Sequence, residues 1–459
     1  ISWNNPVMMF VIYACILLIS WFGAQFIVGG TMTTGELTSM FSYVMSALMS
    51  LMMLSMIFVM ITMSVASARR ICEALNEKSD ITNPADPITE IPNGSIDFDH
   101  VSFAYKHKAD QLKEKRSDMD GGEEVLTDID LHIHAGETIG IIGGTGCGKS
   151  TFANLISRLY DVDSGEVRVG GTDVRKYDLE LLRDQVAVVL QKNVLFSGTV
   201  RENLKWGNAD ASDEEIWEAC RAACADEFLN RMPDGLDTVL EQGASNLSGG
   251  QKQLLNLASI MAMQPEALIL DEPTSQLDPI AASDFLNTIR KINTELGTTV
   301  IITEHRLEDI FPYADRAVVM EGGRILADDV PAKVGQLLFE EKNPMFSAMP
   351  TPVRVFYEAG AAGESPLTVR QGRSWLSREF PEEPRKKAIP VEALPEEVEN
   401  PALELRELWF RYEKDSPDIL RGVSLEVPAG SLYAILGGNG AGKSTTLKAV
   451  SGICRPYRG

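Results

Sequence analysis

The chain has 459 residues, which is enough for about three domains of ordinary size. Its formal net charge of −23 argues against a bulk nucleic-acid binder, since such proteins present a basic face. Hydrophobic residues make up 44% of the chain and charged residues 23%, so most of it is ordinary globular sequence. Residues 1–68 depart from this average, because Glu36 is their only charged side chain. This composition argues against a wholly soluble protein.

The first 70 residues predict an all-α transmembrane helical hairpin. Residues 7–28 and 37–66 are apolar runs without a charge, and each is long enough to cross the hydrocarbon core. A short polar turn separates them. Arg69 and Arg70 follow the second run directly, and such positive charges mark the cytoplasmic flank. We therefore expect a multi-pass protein of the plasma membrane, with the turn outside and everything after residue 70 in the cytoplasm.

A cleaved signal peptide is the rival interpretation of this segment. Two long apolar runs, with no basic stretch before them, argue against it. The chain starts with Ile1 and not with Met, which suggests that it begins inside a larger protein.

The rest of the chain divides by composition. Residues 71–95 include several X-Pro pairs and are expected to be a linker. Short strands then alternate with helix-like segments over residues 96–330, as in an α/β domain. Residues 331–401 hold ten of the 22 prolines together with dense charge, which predicts a Pro-rich linker or a loosely folded appendix.

The C-terminal residues 402–459 repeat part of the α/β domain. The sequence GGTGCGKS at residues 143–150 returns as GGNGAGKS at residues 437–444, each time after an apolar run that predicts a strand. A Phe-x-Tyr triplet that ends at Tyr105 is matched by one that ends at Tyr412. Two such occurrences in the same order make a chance match negligible.

Each of these glycine-rich motifs is typical of a phosphate-binding loop between a strand and a helix. Glycines let successive backbone N–H groups turn toward a phosphate, and the helix N-terminus adds a positive dipole. We expect Lys149 to reach the terminal phosphates and the Ser150 hydroxyl to bind Mg²⁺.

Two adjacent carboxylates form a second chemical feature. The apolar strand at residues 268–272 ends in Asp271 and Glu272. We expect Asp271 to hold Mg²⁺ through water and Glu272 to polarise the attacking water, because phosphoryl transfer depends on positioning and charge neutralisation. The alternative is that Glu272 only caps a helix before Pro273.

A third feature is the segment Ser248-Gly249-Gly250-Gln251, a small-residue helix start of the kind that binds anions. It lies 23 residues before Asp271. With the loop at 143–150 and the strand at 268–272, it stands in the order and spacing of the ATP-binding cassette (ABC) transporters, which the chain resembles. The resemblance implies an α/β P-loop NTPase fold (ABC ATPase) for residues 96–330 and a truncated second cassette at 402–459.

The resemblance also assigns roles to residues that match the family's motifs. Tyr105 is expected to stack on adenine, and Gln191 to reach Mg²⁺ and the attacking water. Asp278 lies in the loop that crosses the cassette dimer interface, and His305 matches the switch histidine that contacts the γ-phosphate. The implied catalytic residues are Glu272, His305 and Gln191, and the implied Mg²⁺ ligands are Ser150, Gln191 and Asp271. The implied ATP-binding residues are Tyr105, Gly143, Gly144, Thr145, Gly146, Cys147, Gly148, Lys149, Ser150, Thr151, Ser248, Gly249, Gly250, Gln251 and Asp278, with Tyr412, Gly437, Gly438, Asn439, Gly440, Ala441, Gly442, Lys443, Ser444 and Thr445 in the second copy.

The resemblance changes character along the chain. Up to about residue 253 it is similar to an exporter-type half-transporter, that is, two last membrane helices followed by a cassette. From about residue 255 it is similar to the ATPases of energy-coupling-factor or cobalt-type importers, which can be two cassettes in tandem. Leu254 stands at the apparent join, where the family usually has Arg. We favour a recombinant or misassembled fusion over a natural hybrid.

The second copy ends at Gly459, shortly after its phosphate loop. The resemblance therefore implies that it cannot hydrolyse ATP alone. ABC cassettes share each ATP site between the phosphate loop of one cassette and the signature segment of another, which here is Ser248-Gly249-Gly250-Gln251. Two chains are thus expected to pair head to tail, with the second half-transporter or cassette giving a homo- or heterodimer.

The leading hypothesis is an ATP-hydrolysing subunit of an exporter-type ABC transporter, with ATP and Mg²⁺ as cofactors and the lipid bilayer as a partner. The alternative is the ATPase of a vitamin or metal importer whose membrane segment was acquired by fusion. A non-transport ABC protein acting on nucleic acid or the ribosome is a third hypothesis, and an inactive scaffold is a fourth. The transported substrate and the direction of transport stay open.

Two further pairs of residues have the spacing of metal ligands. His132 and His134 share one face of a strand, and Cys220 and Cys224 are one helical turn apart. Neither pair has the additional ligands that a zinc site needs. We interpret them as solvated strand positions and as ordinary reduced cysteines.

Overall fold

The computed structural model describes residues 4–105, 124–191, 194–244, 246–304, 307–381, 401–413, 416–438 and 440–459. The chain divides into two compact units, Ile1–Asp80 and Ile81–Gly459. Two residues assigned to the site from the sequence, His305 and Asn439, lie outside the described residues.

The N-terminal unit consists of two helices, α1 (Asn4–Val28) and α2 (Thr34–Asn76). Met9–Val28 has a mean hydropathy of 2.2, and the most apolar 18-residue stretch of Thr34–Asn76 has one of 2.4. Both helices are long and apolar enough to cross a membrane. Most of their large apolar side chains are exposed. A helix that is apolar all round is typical of a membrane span or a buried core. The two predicted apolar helices are present, and α2 continues beyond the apolar run to Asn76.

The charged residue Glu36 has a local structural role at the start of α2. Its carboxylate accepts a hydrogen bond from the Thr33 backbone N–H at 2.8 Å, and the Thr33 hydroxyl accepts one from the Glu36 N–H at 3.3 Å. This reciprocal capping box satisfies two backbone donors that the helix itself cannot satisfy. The turn between the two apolar helices is therefore fixed by its own sequence.

The second unit is built on two sheets. The larger has the strand order β12-β11-β3-β10-β9-β6. All of its neighbouring strands are parallel except β12, which runs antiparallel to β11. An antiparallel sheet has the order β2-β1-β4-β5, and β7-β8 and β13-β14 form two-stranded ladders. The strand bounds are β1 (Ile96–Ala104), β2 (Glu124–Ile133), β3 (Thr138–Gly143), β4 (Ser164–Val169), β5 (Thr172–Asp173), β6 (Val186–Val189), β7 (Gly198–Thr199), β8 (Val239–Leu240), β9 (Ala267–Asp271), β10 (Thr299–Thr303), β11 (Arg316–Glu321), β12 (Arg324–Asp329), β13 (Pro401–Phe410) and β14 (Leu420–Pro428).

Helices alternate with these strands along much of the unit, as the sequence pattern predicts. Short 3₁₀ turns lie at residues 174–176, 235–237, 242–244 and 344–348. The helix bounds are α3 (Lys149–Ile156), α4 (Leu179–Gln185), α5 (Val200–Leu204), α6 (Asp213–Ala222), α7 (Asp226–Leu229), α8 (Gly249–Met261), α9 (Pro279–Leu296), α10 (Leu307–Ile310), α11 (Pro331–Glu340), α12 (Thr351–Glu358), α13 (Val369–Glu379) and α14 (Lys443–Val450).

The central strands β3, β9 and β10 place the site. Their residues are buried almost without exception, as expected of parallel strands that are covered on both faces. Thr303 at the end of β10 lies opposite Ile141 of β3 and Asp271 of β9. The carboxyl ends of the three strands therefore meet at one edge of the sheet.

Residues 331–379, within the range predicted as a linker or a loose appendix, contain the helices α11, α12 and α13. These helices bury an apolar cluster that includes Phe356 and Trp375 and extends to Val319 on β11. Pro331 and Pro352 stand in the first turns of helices, where proline is well tolerated. Part of the proline content of this range thus reflects helix starts.

The second sequence copy forms the ladder β13-β14 and the helix α14. The strand predicted before its phosphate loop is not formed, since residues 431–438 have no regular secondary structure. Leu432 and Leu436 are almost completely exposed there. In the first copy, β3 bonds to β10 and β11. The described part of the second copy contains no equivalents of those strands, so a strand there would leave its backbone groups without partners.

Candidate active site

The first phosphate loop connects β3 to α3. Gly146 and Gly148 have φ angles of +82° and +100°, in the left-handed region that favours glycine. A Cβ on Gly148 would lie 2.6 Å from Leu126 Cδ2 and 3.1 Å from the Val125 oxygen. Glycine at this position is therefore required both by the backbone angle and by the close approach of β2.

Lys149 lies folded over this loop and is buried. Its Nζ donates hydrogen bonds to the backbone oxygens of Gly143 at 2.8 Å and Gly144 at 3.2 Å. The ammonium group is thus held beside the loop by weak neutral acceptors. Anionic phosphate oxygens form stronger, charge-assisted bonds and could replace them.

The two carboxylates lie at the carboxyl end of β9, as the sequence predicts. The Gln191 side-chain amide donates a hydrogen bond to Glu272 Oε2 at 2.8 Å. Gln191 and Glu272 are 81 positions apart in the sequence, so the fold brings together two of the three predicted catalytic residues. The third, His305, comes two positions after the last residue of β10 and lies outside the described residues.

Glu272 has an unusual backbone conformation, with a φ of +47°. Left-handed φ values are uncommon for residues other than glycine and cluster at functional sites. The Glu272 N–H donates to both the backbone oxygen and the hydroxyl of Thr303, at 3.0 and 3.1 Å. Glu272 is not the cap of a helix, because the next helix, α9, begins at Pro279 and is capped by Asp278.

Tyr105 lies beside the start of α3. Its hydroxyl is 3.0 Å from the Thr151 Oγ1, within hydrogen-bond distance. Its ring packs edge-on against Tyr160, with ring centroids 5.2 Å apart, and against Phe103 at 5.0 Å. The aromatic ring expected to meet adenine is therefore close to the phosphate loop.

The signature segment forms the N-terminus of α8. Ser248 and Gln251 cap the helix reciprocally, with bonds of 2.9 and 3.3 Å between side chains and backbone. Asp278 caps the neighbouring helix α9 by accepting from the Ile280 and Ala281 N–H groups. A Cβ on Gly250 would lie 3.1 Å from the Ala281 Cβ, so the starts of α8 and α9 lie against each other.

The second phosphate loop has the same local geometry as the first. Lys443 Nζ donates to the backbone oxygens of Gly437 at 2.6 Å and Gly438 at 2.7 Å. The Tyr412 hydroxyl lies 3.4 Å from the Thr445 Oγ1, as Tyr105 lies near Thr151. A Cβ on Gly438 would lie 3.7 Å from Asp278 Oδ2. The second loop therefore lies beside the predicted interface loop of the first cassette in the same chain.

The first site fits ATP and Mg²⁺ by its donor chemistry. The loop offers the glycine backbone, a lysine and the N-terminus of α3, which together suit a polyphosphate. Ser150, Gln191 and Asp271 offer oxygen atoms, the ligand type that Mg²⁺ prefers. Among the described residues, no group of three or more His, Cys, Asp or Glu side chains could hold a metal ion. Mg²⁺ bound beside a nucleotide usually takes its remaining ligands from water and phosphate oxygens.

The two residue pairs with the spacing of metal ligands, His132 with His134 and Cys220 with Cys224, differ in their surroundings. His132 bonds to Asp97, and its ring lies edge-on to that of His134, with centroids 4.6 Å apart. Cys220 is completely buried, and burial raises the pKa of its thiol to about 12. A thiol that stays protonated is a poor metal ligand.

Comparison with known proteins relates part of this chain to a known family. The family model described as "ABC transporter" matches residues 126–275 and 420–459. These two stretches of the chain match the ATP-binding cassette of the ABC transporter family. The cassette is an ATPase domain. The second matched stretch includes the repeated phosphate loop.

Individual relatives of this chain include a multidrug efflux protein. It is 35% identical over 308 residues to the uncharacterized ABC transporter ATP-binding protein YknV of Bacillus subtilis, covering 66% of this chain and 48% of YknV. It is 37% identical over 269 residues to the multidrug efflux ATP-binding/permease protein Rv0194 of Mycobacterium tuberculosis, covering 59% of this chain and 21% of Rv0194. The chain thus spans about half or less of these relatives.

Among solved structures, a bacterial Atm1-family ABC exporter with ATP bound is similar to this chain. The TM-score is 0.55 at 25% sequence identity, and the match covers 79% of this chain and 60% of the exporter chain. The similarity is to an exporter, in agreement with the resemblance of residues 1–253.

Sequence reasoning missed three residues that the structure places at the site. Tyr160 packs on Tyr105, and Thr303 bonds to Asp271 and Glu272. Glu304 is buried and accepts hydrogen bonds from the Thr274 N–H and hydroxyl. Only the register of β10 against β9 shows that Thr303 meets Asp271, and a single sequence does not reveal it.

Proposed function

We propose that this chain is the ATP-hydrolysing part of an exporter-type ABC transporter, in which hydrolysis drives substrate translocation across the membrane. The observation that supports this best is the combination, in one chain, of two membrane-length helices and a cassette whose Gln191 and Glu272 are in contact. The exporter relatives support the same direction of transport. They give no support to the importer alternative.

The proposed roles in hydrolysis follow from the geometry. Lys149 exchanges its bonds with the loop oxygens for phosphate oxygens. Ser150, Asp271 and Gln191 hold Mg²⁺, which neutralises phosphate charge when bound. Glu272 accepts a proton from the attacking water, and the Gln191 amide orients the Glu272 carboxylate. His305 keeps the γ-phosphate contact that the family resemblance assigns to it.

The proposed architecture keeps the predicted order of segments, and α2 continues past the predicted end of the hairpin to Asn76. The membrane hairpin comprises residues 1–70, the complete cassette residues 96–330, and the truncated second cassette residues 402–459. The cassettes face the cytoplasm and work in a head-to-tail dimer. The partner is a second copy of this chain or a different half-transporter. The tandem layout of one complete and one truncated cassette is part of this proposal. The importer-like sequence after about residue 255 is explained in it by a fusion within the chain.

Two substitutions test the proposed hydrolytic site. Glu272→Gln should keep ATP binding and lower ATP turnover by a factor of about 10² to 10⁴, the usual contribution of a general base. Lys149→Ala should weaken ATP binding, because it removes the cation beside the terminal phosphates. The measurements are Mg²⁺-dependent phosphate release and ATP binding by the purified chain.

The control is Glu295→Gln. Glu295 is an exposed carboxylate on α9, so its replacement should leave ATP turnover and ATP affinity unchanged. Wild-type turnover in Glu272→Gln would show that Glu272 is not the base. Unchanged ATP affinity in Lys149→Ala would contradict the phosphate-loop assignment.

A further inference from the structure

Thr303 is the last residue of β10, and its hydroxyl contacts both carboxylate-bearing residues. The side chain is completely buried. Oγ1 donates a hydrogen bond to Asp271 Oδ1 at 2.6 Å and accepts one from the Glu272 N–H at 3.1 Å. The one hydrogen of this hydroxyl is directed to the predicted Mg²⁺ ligand, and a lone pair is directed to the predicted base.

Both contacts constrain groups that would otherwise be loosely held. The short hydrogen bond to one oxygen of the Asp271 carboxylate restricts the rotation of this group. The backbone of Glu272 adopts a φ of +47°, which requires support from its surroundings. Thr303 supplies that support through its hydroxyl and its backbone oxygen, the two acceptors of the Glu272 N–H.

We propose that Thr303 is a positioning residue for ATP hydrolysis, whose hydroxyl orients Asp271 toward Mg²⁺ and holds the backbone of Glu272. The inference rests on the proposed roles of Asp271 and Glu272. Partners that hydrogen-bond a metal ligand typically change metal affinity or activity 10- to 100-fold when removed. The Thr303 hydroxyl bonds to Asp271 and to the Glu272 N–H, so it acts through these two neighbours.

The central test removes the hydroxyl and keeps the shape. Thr303→Val retains the β-branched side chain that suits a strand. The variant is compared with wild type as the purified full chain in detergent. Mn²⁺ binding to the ATP-loaded protein is followed by electron paramagnetic resonance, ATP affinity is measured in EDTA, and phosphate release is measured as kcat and KM. We expect about tenfold weaker Mn²⁺ binding, a kcat at least about tenfold lower and an unchanged ATP affinity in EDTA.

A matched control lies on the same strand. Thr299 is also completely buried, and its Oγ1 accepts a hydrogen bond from the Gly136 N–H at 2.9 Å, at the other end of β10. Thr299→Val should lower the thermal stability and leave Mn²⁺ affinity and kcat at wild-type values. Thr303→Ser, which keeps the hydroxyl, should restore both quantities to near wild type.

Each outcome decides the proposal. Wild-type Mn²⁺ affinity and kcat in Thr303→Val would overturn it, and so would an equal loss in Thr299→Val. If Thr303→Val does not fold, Thr303→Ser compared with Thr303→Cys, a poor donor of similar size, makes the same distinction. Asp271→Asn separates the two levels of inference. If Asp271→Asn leaves Mn²⁺ affinity unchanged, the proposed role of Asp271 fails. If it weakens Mn²⁺ binding while Thr303→Val does not, only the Thr303 proposal fails.

Discussion

The ring of Tyr105 is held differently from its counterpart in the second copy. Tyr160 packs edge-on against Tyr105 at an interplanar angle of 87°. When the two phosphate loops are aligned, Cys454 takes the place of Tyr160. Tyr412 instead has Lys448 Nζ 6.0 Å from its ring centroid, and more than half of its surface is exposed. The ring of Tyr105 is therefore packed against a second tyrosine, whereas in the second copy a cysteine stands in the place of that tyrosine.

Replacing Tyr160 with Cys should therefore weaken nucleotide binding at the first site. An aromatic pair contributes about 0.5–1.5 kcal/mol, so we expect up to about a tenfold rise in the KM for ATP. The kcat should not change, because Tyr160 lies away from the carboxylates. Steady-state ATPase measurements separate the two constants.

Tyr160→Phe is the control for this prediction, since it keeps the ring and should behave as wild type. In a Tyr105→Ala background, Tyr160→Cys should have little additional effect. An unchanged KM in Tyr160→Cys alone would show that the edge-on contact does not support nucleotide binding.

Residues within one motif could be predicted from the sequence, and residues that meet through the fold could not. Lys149 and Ser150 follow from a local pattern of glycines whose chemistry is self-contained. The contact between Gln191 and Glu272 was anticipated only through the family resemblance. Thr303 and Tyr160 belong to no local pattern, because their roles depend on strand register and ring packing between distant segments.

At the scale of elements, the helices α11 to α13 were the part least visible in the sequence. Dense proline and charge favoured a linker, yet apolar residues at helical spacing bury a common cluster. The rings of Phe356 and Trp375 pack with centroids 5.0 Å apart. The predicted strand at residues 432–436 shows the opposite error, since an apolar run forms a strand only where neighbouring strands can bond to it.

Trp375→Ala should therefore unfold this helical appendix. Removing a buried tryptophan typically costs about 3–5 kcal/mol, which is large for three short helices. We expect rapid proteolysis within residues 331–379 and a retained ATP affinity of the cassette. Limited proteolysis followed by mass spectrometry measures the first quantity, and nucleotide titration the second.

Phe380→Ala serves as the comparison, because Phe380 is mostly exposed although its ring lies 6.1 Å from that of Trp375. It should leave the protease resistance close to wild type. A Trp375→Ala variant as resistant as wild type would show that the apolar cluster does not hold the appendix together.

At the scale of the whole molecule, the proposed orientation in the membrane, with the turn outside and the cassettes in the cytoplasm, can be tested directly. Cys introduced at Thr31, in the turn between the two helices, should react with a membrane-impermeant maleimide added to intact cells. The natural Cys72, which is exposed near the end of α2, should react only after the membrane is permeabilised. Peptide mass spectrometry identifies which cysteine is labelled.

Labelling of Cys72 in intact cells would reverse the proposed orientation. Labelling of both positions only after permeabilisation would contradict a hairpin whose turn faces outside. The positive charges of Arg69 and Arg70 are the physical basis of the expected result.

The length of α2 has a consequence for its proposed position in a membrane. Its 43 residues correspond to about 65 Å at a rise of 1.5 Å per residue, whereas the hydrocarbon core of a bilayer is about 30 Å thick. The apolar run at residues 37–66 alone amounts to about 45 Å. A helix with such hydrophobic mismatch tilts or thickens the bilayer around it. A thicker bilayer would require less tilt to cover this apolar run.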